Sequence, residues 1–353
     1  MKRMRLMFVC WPFEDQGSGL VIQGYAQAAR ALGHEVAVYG RMNPKIPLNY
    51  SLDIDSAGAV IFVFEWTTDL WQGDHLDLVR LVSKVPRKRR VILDGDGNYN
   101  DVISVLGDYN HREETARRRW IEVCDSLSDK ICQPTFHPLR KNVRTFLFYA
   151  YNPAWEMPLD FSAKEYGMIY LGNSKFRWLP MHRVLQAIEP IREQVGRIGL
   201  VGAGWDALPP WAVPMKMEDA YYTDPIYLRR LHVEVKAAIP FEHVIGWMSK
   251  AIFNPVISRP TFDYMRLVTP RFFETPAANT IPLFGVDNEH VEEIYGAGGL
   301  ELALPDDDSQ KKVLDLVRRP EYYARVVRSI RQHLAEKHSH AARLRELIDI
   351  VQS

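Results

Sequence analysis

The feature that most narrows the fold is an alternation of two kinds of segment. Runs of strand length that are almost wholly apolar, RLMFVCW, GAVIFVFEW and RRVILDGDG early in the chain and GMIYLGN, GRIGLVGAG and TIPLFG later, are separated by stretches with helical spacing. A strand apolar at every position is buried on both faces, as in a parallel sheet covered by helices. Parallel strands need a crossover, and LVIQGYAQAARALG, ending in the C-cap glycine Gly33, supplies one between RLMFVCW and HEVAVYG. Further helices are expected at DHLDLVRLVSKV, REETARRRWIEVCDSL, PMHRVLQAIEPIREQV, EHVIGWMSKA and EHVEEIYG, and from about Asp307 onward. Further strands are expected at DKICQP, VRTFLFYAYN, LHVEVKAAIPF and IFNPVI. The pattern is that of an α/β, doubly wound parallel sheet.

The rhythm breaks once, at NPAWEMPLDFSAKEYG, where two prolines and mixed polarity read as a linker over 152–166. At 353 residues the chain is long for one domain. The expected organisation is a Rossmann-like domain over 1–155, a second over 166–330, and a C-terminal helix over 331–353 that packs back toward the first domain. Ligands of open parallel sheets bind beyond the carboxyl ends of the strands, so two such sheets imply a cleft between them.

Composition excludes several classes. The 44 basic and 44 acidic residues balance, which argues against nucleic acid or an anionic membrane as the main partner. Cys10, Cys124 and Cys132 are scattered, with neither a C-x-x-C pair nor a disulfide framework, so a cytoplasmic location is expected. The apolar run after MKRMR is too short for a secretory core and reads as a first strand. No segment approaches the ~20 apolar residues of a membrane span.

The polar strand exits hold the candidate site residues. Gly202, Gly204 and Ala207 fit the G-x-G-x-x-A fingerprint of dinucleotide sites, but the prolines of LPPWAVP forbid the long helix that the fingerprint needs. A glycine turn that brings backbone close to a phosphate is the reading that remains. Gly17 and Gly19 form a loop over an anion or a plain turn. Lys175 and Arg177 follow the first strand of the second half, and Arg271 follows a later one; such cations grip phosphates when they converge on one cleft and are otherwise solvated. Asp94, Asp96 and Asp101 lack the twelfth-position glutamate of a calcium loop, and read as turn chemistry with one carboxylate facing the cleft, or as a magnesium site. His111 is a helix-start neighbour or a base. The clusters PRKRR and ARRRW read as solvated faces. Trp66, Trp71, Trp178, Trp205 and Trp211 lie in loop-like stretches, where such rings stack on sugars or pack interfaces.

The motifs MIYLGNSKFRW, IGLVGAGW, SKAIFNPVISRP and, above all, VTPRFFETPAANTIPLF resemble nucleotide-sugar glycosyltransferases of the GT-B type, more narrowly the CgeB-like and group 1 glycosyltransferases. VTPRFFETPAANTIPLF resembles that family's R-x-F-E-x-x-A-x-G signature, and EKHSHAARLRELIDIV its H-x-x-x-x-R-x-x-x-L ending; the likeness covers about 166–350. It implies a metal-independent transfer of sugar from a UDP-, GDP- or dTDP-sugar to a hydroxyl of a glycan, lipid, protein or small molecule. No tightly bound cofactor and no nucleic-acid partner are expected. By the resemblance, Glu274 bonds ribose or sugar hydroxyls, Arg271 sits near the donor phosphates, Gly172 and Asn173 open the donor loop with Arg177 behind, and Phe241 lies along the nucleobase edge. Lys175, Arg177 and Arg271 would carry the charge of the leaving diphosphate, and Glu14, Asp96 and His111 are the candidate bases. Two departures stand out. Arg266 occupies the position of the first of the family's two glutamates, and Asn279 replaces a glycine whose left-handed conformation asparagine also tolerates. The first departure keeps a second reading open, a nucleotide-sugar binder without turnover.

Overall fold

The computed structural model describes residues 3–10, 17–44, 46–64, 75–101, 114–214 and 216–353. The first sheet contains β1 (Arg5–Cys10), β2 (Glu35–Tyr39), β3 (Tyr50–Ser51), β4 (Ala59–Phe64), β5 (Arg90–Asp94), β6 (Ile131–Gln133) and β7 (Val143–Thr145), in the order β3-β2-β1-β4-β5-β6-β7. The second contains β8 (Tyr166–Leu171), β9 (Ile198–Val201), β10 (Val233–Lys236), β11 (Ala251–Val256) and β12 (Ile281–Phe284), in the order β10-β9-β8-β11-β12. Every pairing in both is parallel. In each sheet the chain winds outward from its first strand, then returns to the other side. The switch points therefore lie between β1 and β4 and between β8 and β11, where doubly wound sheets open a crevice.

Side-chain alternation explains why the apolar runs are continuous. Along β1, Leu6 and Phe8 face a core shared with the helix Gly17–Ala31, while Met7 and Val9 face one shared with the helix Glu114–Leu127. Strands β4 and β8 are buried at all six positions. Among the described residues no helix is long and apolar enough to cross a membrane.

The run VRTFLFYAYN departs from the expected strand. Pairing stops at Thr145, because the residues that follow serve two cores. Phe146 and Phe148 enter the core of the first sheet, while Leu147 and Tyr151 enter that of the second. Alternating apolar residues here mark a crossing between sheets. The chain returns beside it: the Tyr151 N–H donates to His338 O at 2.8 Å, and Tyr151 pairs with Ser339. The helix Pro320–Lys337 buries Tyr323, Val327, Ile330 and Leu334 against the second sheet, and the helix His340–Gln352 buries Leu344, Leu347 and Ile348 against the first. Gly24 is required at that second contact, since a Cβ there would lie 2.2 Å from His340 Nε2. A short helix not expected from spacing, Pro225–Arg230, starts with Asp224 accepting from the N–H groups of Ile226 and Tyr227; the Asp-Pro pair in TDPIYLRR was its signal.

The seven-residue helix Arg271–Ala277 is too short to hold itself, and its partners show what does. Pro276 has no N–H to give to Phe272 O, and the Tyr295 hydroxyl donates there instead at 2.8 Å. At the C-terminal end the buried Arg331 guanidinium donates to the carbonyls of Pro276, Ala277 and Ala278 at 2.7, 3.1 and 2.9 Å, and to Met157 O in the linker at 2.9 Å. A cation on the last carbonyls also suits the helix dipole.

Two outcomes are expected. Arg331→Met removes four hydrogen bonds and strands Pro276 O and Met157 O, since Ala277 O and Ala278 O keep the N–H groups of Met157 and Thr280, and it should lower the unfolding free energy by about 3 kcal/mol in urea titration. Burial holds His338 at about 3, His340 at about 4 and His290 at about 3, against an ordinary value of 6.5. These rings are neutral when folded and take up protons when unfolded, so their contribution is complete above pH 6.5 and falls as pH drops toward 4, by ~1.4 kcal/mol per pH unit for each ring. Asp94, raised to about 6 by burial, opposes this over the lower part of the range. Three histidines outweigh one aspartate, so stability should fall from pH 6.5 to 4.5, and His340→Asn should flatten the slope.

Candidate active site

A cavity of ≈ 550 Å³ opens at the carboxyl ends of the second sheet. Leu171, Gly172 and Asn173 enter it from the exit of β8, and Gly202 and Ala203 from that of β9. Ala238 and Phe241 enter beyond β10, Ser258 beyond β11, and Thr269, Pro270 and Arg271 beyond the following turn. Asp96 and Tyr149 reach it from the side of the first sheet. It is thus the crevice that strand order places at the switch point, closed from the other side by the first sheet's loops.

Close backbone approach sets the floor of this cavity. A Cβ on Gly202 would sit 2.3 Å from Gly172 O, so the exits of β8 and β9 can touch there because residue 202 has no side chain. Gly204 adopts φ +91°, and a Cβ on it would meet Ser174 Oγ at 2.4 Å. Trp205 then locks the two loops: its ring is fully buried and its N–H donates to Gly172 O at 2.8 Å. No long helix follows Gly204; the chain runs through turns to a single 3-10 turn at Asp219–Tyr221. The prolines override the dinucleotide fingerprint, as expected.

The cations separate. Arg177 lines the cavity, with Nη1 held by Asn173 Oδ1 at 2.7 Å. Lys175, expected beside it, is 8 % exposed and outside the lining; the left-handed backbone at Phe176 (φ 55°) separates the two residues. Arg271 lines the cavity and is fixed twice, by Nε donating to Leu171 O at 2.9 Å and by a charge-assisted bond from Nη1 to Glu274 Oε2. Two of its five N–H groups are thereby committed. Glu274 is 9 % exposed and does not line the cavity, so in this arrangement it orients Arg271.

On the side of the first sheet, Asp94 is fully buried at the end of β5 and accepts from the N–H groups of Asn98 and Tyr99 and from Gln133 Nε2 at 2.9, 2.7 and 2.8 Å. It braces the turn that carries Asp96 into the cavity. Asp101 pairs with Arg140 at 3.2 Å instead. Among the described residues no group of three histidine, cysteine, aspartate or glutamate side chains could hold a metal ion. Gly19 is buried in the first turn of the helix Gly17–Ala31, outside the cavity lining. Glu14, His111, Trp66 and Trp71 lie outside the described residues. Trp178 stacks on His182, and Trp211, 48 % exposed, lines the cavity.

The two departures from the family pattern have structural reasons. Arg266 follows the helix Pro260–Tyr264 in the left-handed position of a Schellman cap: φ is 49°, its N–H donates to Asp263 O, and the Leu267 N–H donates to Phe262 O. Its guanidinium lies outside the cavity among carboxylates, 2.7 Å from Glu289 and 3.3 Å from Asp287, next to the paired His137 and Glu293. Asn279 is not left-handed, contrary to expectation. It is there to bond the linker backbone, accepting from Asp160 N at 2.9 Å and donating to Asp160 O at 3.0 Å.

Residues 182–349 match the family model described as glycosyl transferase-like. No curated protein matches the chain. Among solved structures, an alpha-glucosyltransferase in complex with UDP and a 13-mer DNA is similar over 99 % of this chain and 100 % of its own, at 13 % identity and a TM-score of 0.66. The same enzyme type with UDP-glucose and DNA containing an abasic site gives 13 %, 0.66, and full coverage of both chains. T4 phage BGT in complex with UDP-glucose gives 12 %, 0.60, and coverage of 99 % and 100 %. The expectation of no nucleic-acid partner is withdrawn, because neighbours with this fold hold DNA. Balanced charge over a whole chain averages away the local surface that meets a partner. The chain is thus similar to the glycosyl transferase-like family over residues 182–349, and its two-sheet architecture is of the GT-B type.

Proposed function

We propose that the protein transfers a sugar from a uridine diphosphate sugar to an acceptor hydroxyl. The observation that carries this reading is the cavity itself, with Arg177 and Arg271 on the wall of the second sheet and Asp96 entering from the first. In such a transfer the anomeric C–O bond breaks, the sugar takes on oxocarbenium character, and the diphosphate leaves with growing negative charge. Arg271, aimed by Leu171 O and Glu274, and Arg177, aimed by Asn173, supply fixed positive charge for that leaving group without reorganising. Asp96 takes the proton of the attacking hydroxyl. The arginines supply the charge that a metal ion would otherwise bring, so the transfer is assigned as metal-independent. The donor base is taken as uracil because the similar structures hold UDP or UDP-glucose. Similar alpha-glucosyltransferase structures hold DNA, and a further one holds DNA containing a HMU base, which makes nucleic acid an acceptor class for assay alongside glycans, lipids, proteins and small molecules.

A nucleotide-sugar binder without turnover is the second reading, favoured by Arg266 at a position where the resemblance expects a glutamate. Transfer and donor hydrolysis, measured as UDP release in the presence of EDTA with DNA and non-DNA acceptors, separate the two. UDP should raise the melting temperature under either reading; no shift with any nucleoside diphosphate overturns both.

Arg271→Gln should cut kcat by 10²–10³-fold, as loss of one preorganised charge on a leaving group does. Asp96→Asn should cut transfer by about 10²-fold or more while UDP binding, read by calorimetry, stays within about twofold.

A further inference from the structure

We infer that Met265 positions Asp96 across the cavity, by filling the space that Gly97 leaves open in the turn beside it. The inference rests on the reading above, in which Asp96 takes the proton of the attacking hydroxyl, and adds a residue of the other half that acts through it.

The walls that carry Asp96 and Arg271 belong to different sheets, so the span between these two residues is not set by either sheet alone. Within the first half, the Asp94 carboxylate fixes the turn to the end of β5 by accepting from the N–H groups of Asn98 and Tyr99. Against the second half, the approach depends on Gly97. It is buried at φ +67°, and a Cβ on it would lie 2.6 Å from Met265 Cε, 2.8 Å from Met265 Sδ and 3.1 Å from Leu267 Cδ1. The turn is therefore seated on Met265 at the residue next to Asp96.

Met265 is itself held from both halves. It is fully enclosed and packs with Leu267 and with Phe262, which lines the cavity. Its carbonyl accepts from the Thr135 hydroxyl at 2.8 Å. Its sulfur accepts from Asn100 Nδ2 at 3.2 Å, and that same amide donates to Gly97 O at 3.0 Å. Asn100 thus bonds both members of the contact. A thioether is a weak acceptor on an unbranched, adaptable chain, which suits a residue that must fill the space over a glycine. Three residues on, the Val268 N–H donates to Pro134 O at 2.7 Å. Thr269, Pro270 and Arg271 follow, and all three line the cavity. One stretch of seven residues, 265–271, therefore begins against the turn that carries Asp96 and ends at the cation assigned to the leaving group.

The test is UDP release from UDP-glucose, with water and with the acceptor classes named above, read beside UDP binding by calorimetry. Met265→Ala empties the contact and should cut kcat by about 10-fold or more, because a displacement of about 1 Å can cost about 10²-fold. UDP affinity should stay within about twofold, since the arginines keep their own supports. Met265→Val removes less and should show the same pattern in smaller measure. Met265→Leu keeps the volume and should hold kcat within about threefold of the unmodified chain. A residue that acts through Asp96 has nothing left to position once that carboxylate is gone. On the Asp96→Asn background, Met265→Ala should therefore change the rate by less than about twofold. Unchanged kcat in Met265→Ala overturns the inference. So does an equal fold-loss on the Asp96→Asn background, which marks a general loosening. Either result leaves the proposed function standing if the unmodified chain releases UDP. An unmodified chain that binds UDP yet releases none from UDP-glucose with any acceptor removes the proposed transfer, and this inference with it.

Discussion

One buried guanidinium ties together the parts on which the site depends. Arg331 reaches from the helix Pro320–Lys337 to the last carbonyls of the helix Arg271–Ala277 and to Met157 of the linker. Seven helical residues with an internal proline have little intrinsic stability. What keeps Arg271 beside Leu171 O is the support around that helix: Tyr295 on the carbonyl that proline leaves unpaired, and Arg331 on the carbonyls of its end. A charge buried on carbonyl oxygens is costly to disturb, because each oxygen left behind loses a partner it cannot replace with water. The position of the site cation is therefore decided about sixty residues further along the chain.

Much of the architecture was legible from two signals, all-apolar strand runs and the helical spacing between them. β4 and β8, buried at every position, read plainly because a strand with no polar face has one kind of home. The proline block after Gly204 ruled out a dinucleotide helix on local grounds alone. VRTFLFYAYN was misread because an alternating apolar run looks the same whether its two faces belong to one sheet or to two cores. β3, with two residues, and the helix Pro260–Tyr264, with five, are too short to show a period.

Of the candidate site, the sequence showed which residues meet at one cavity and not how they contact one another. Gly172, Asn173, Arg177, Gly202, Phe241, Arg271 and Asp96 all meet one cavity. Spacing could not say that Lys175 would be buried two positions from Arg177, since the reversal depends on a left-handed Phe176. Nor could it say that Glu274 would bond Arg271; residues three apart on a helix face each other, yet the same spacing serves two independent ligand contacts. Asn279 and Arg266 show the same limit. Their backbone and partner requirements come from the linker and from a helix cap, neither adjacent in an obvious way in the sequence.

The paired crossings at Tyr151 and Ser339 have a mechanical consequence. Two tethers lie side by side there, joined by the Tyr151–His338 backbone bond, and a second set of bonds ties the halves away from them: the Val268 N–H donates to Pro134 O at 2.7 Å and the Thr135 hydroxyl to Met265 O at 2.8 Å. Turning one half about the tethers must break that second set, so the two walls of the crevice are fastened at two places rather than at a single pivot.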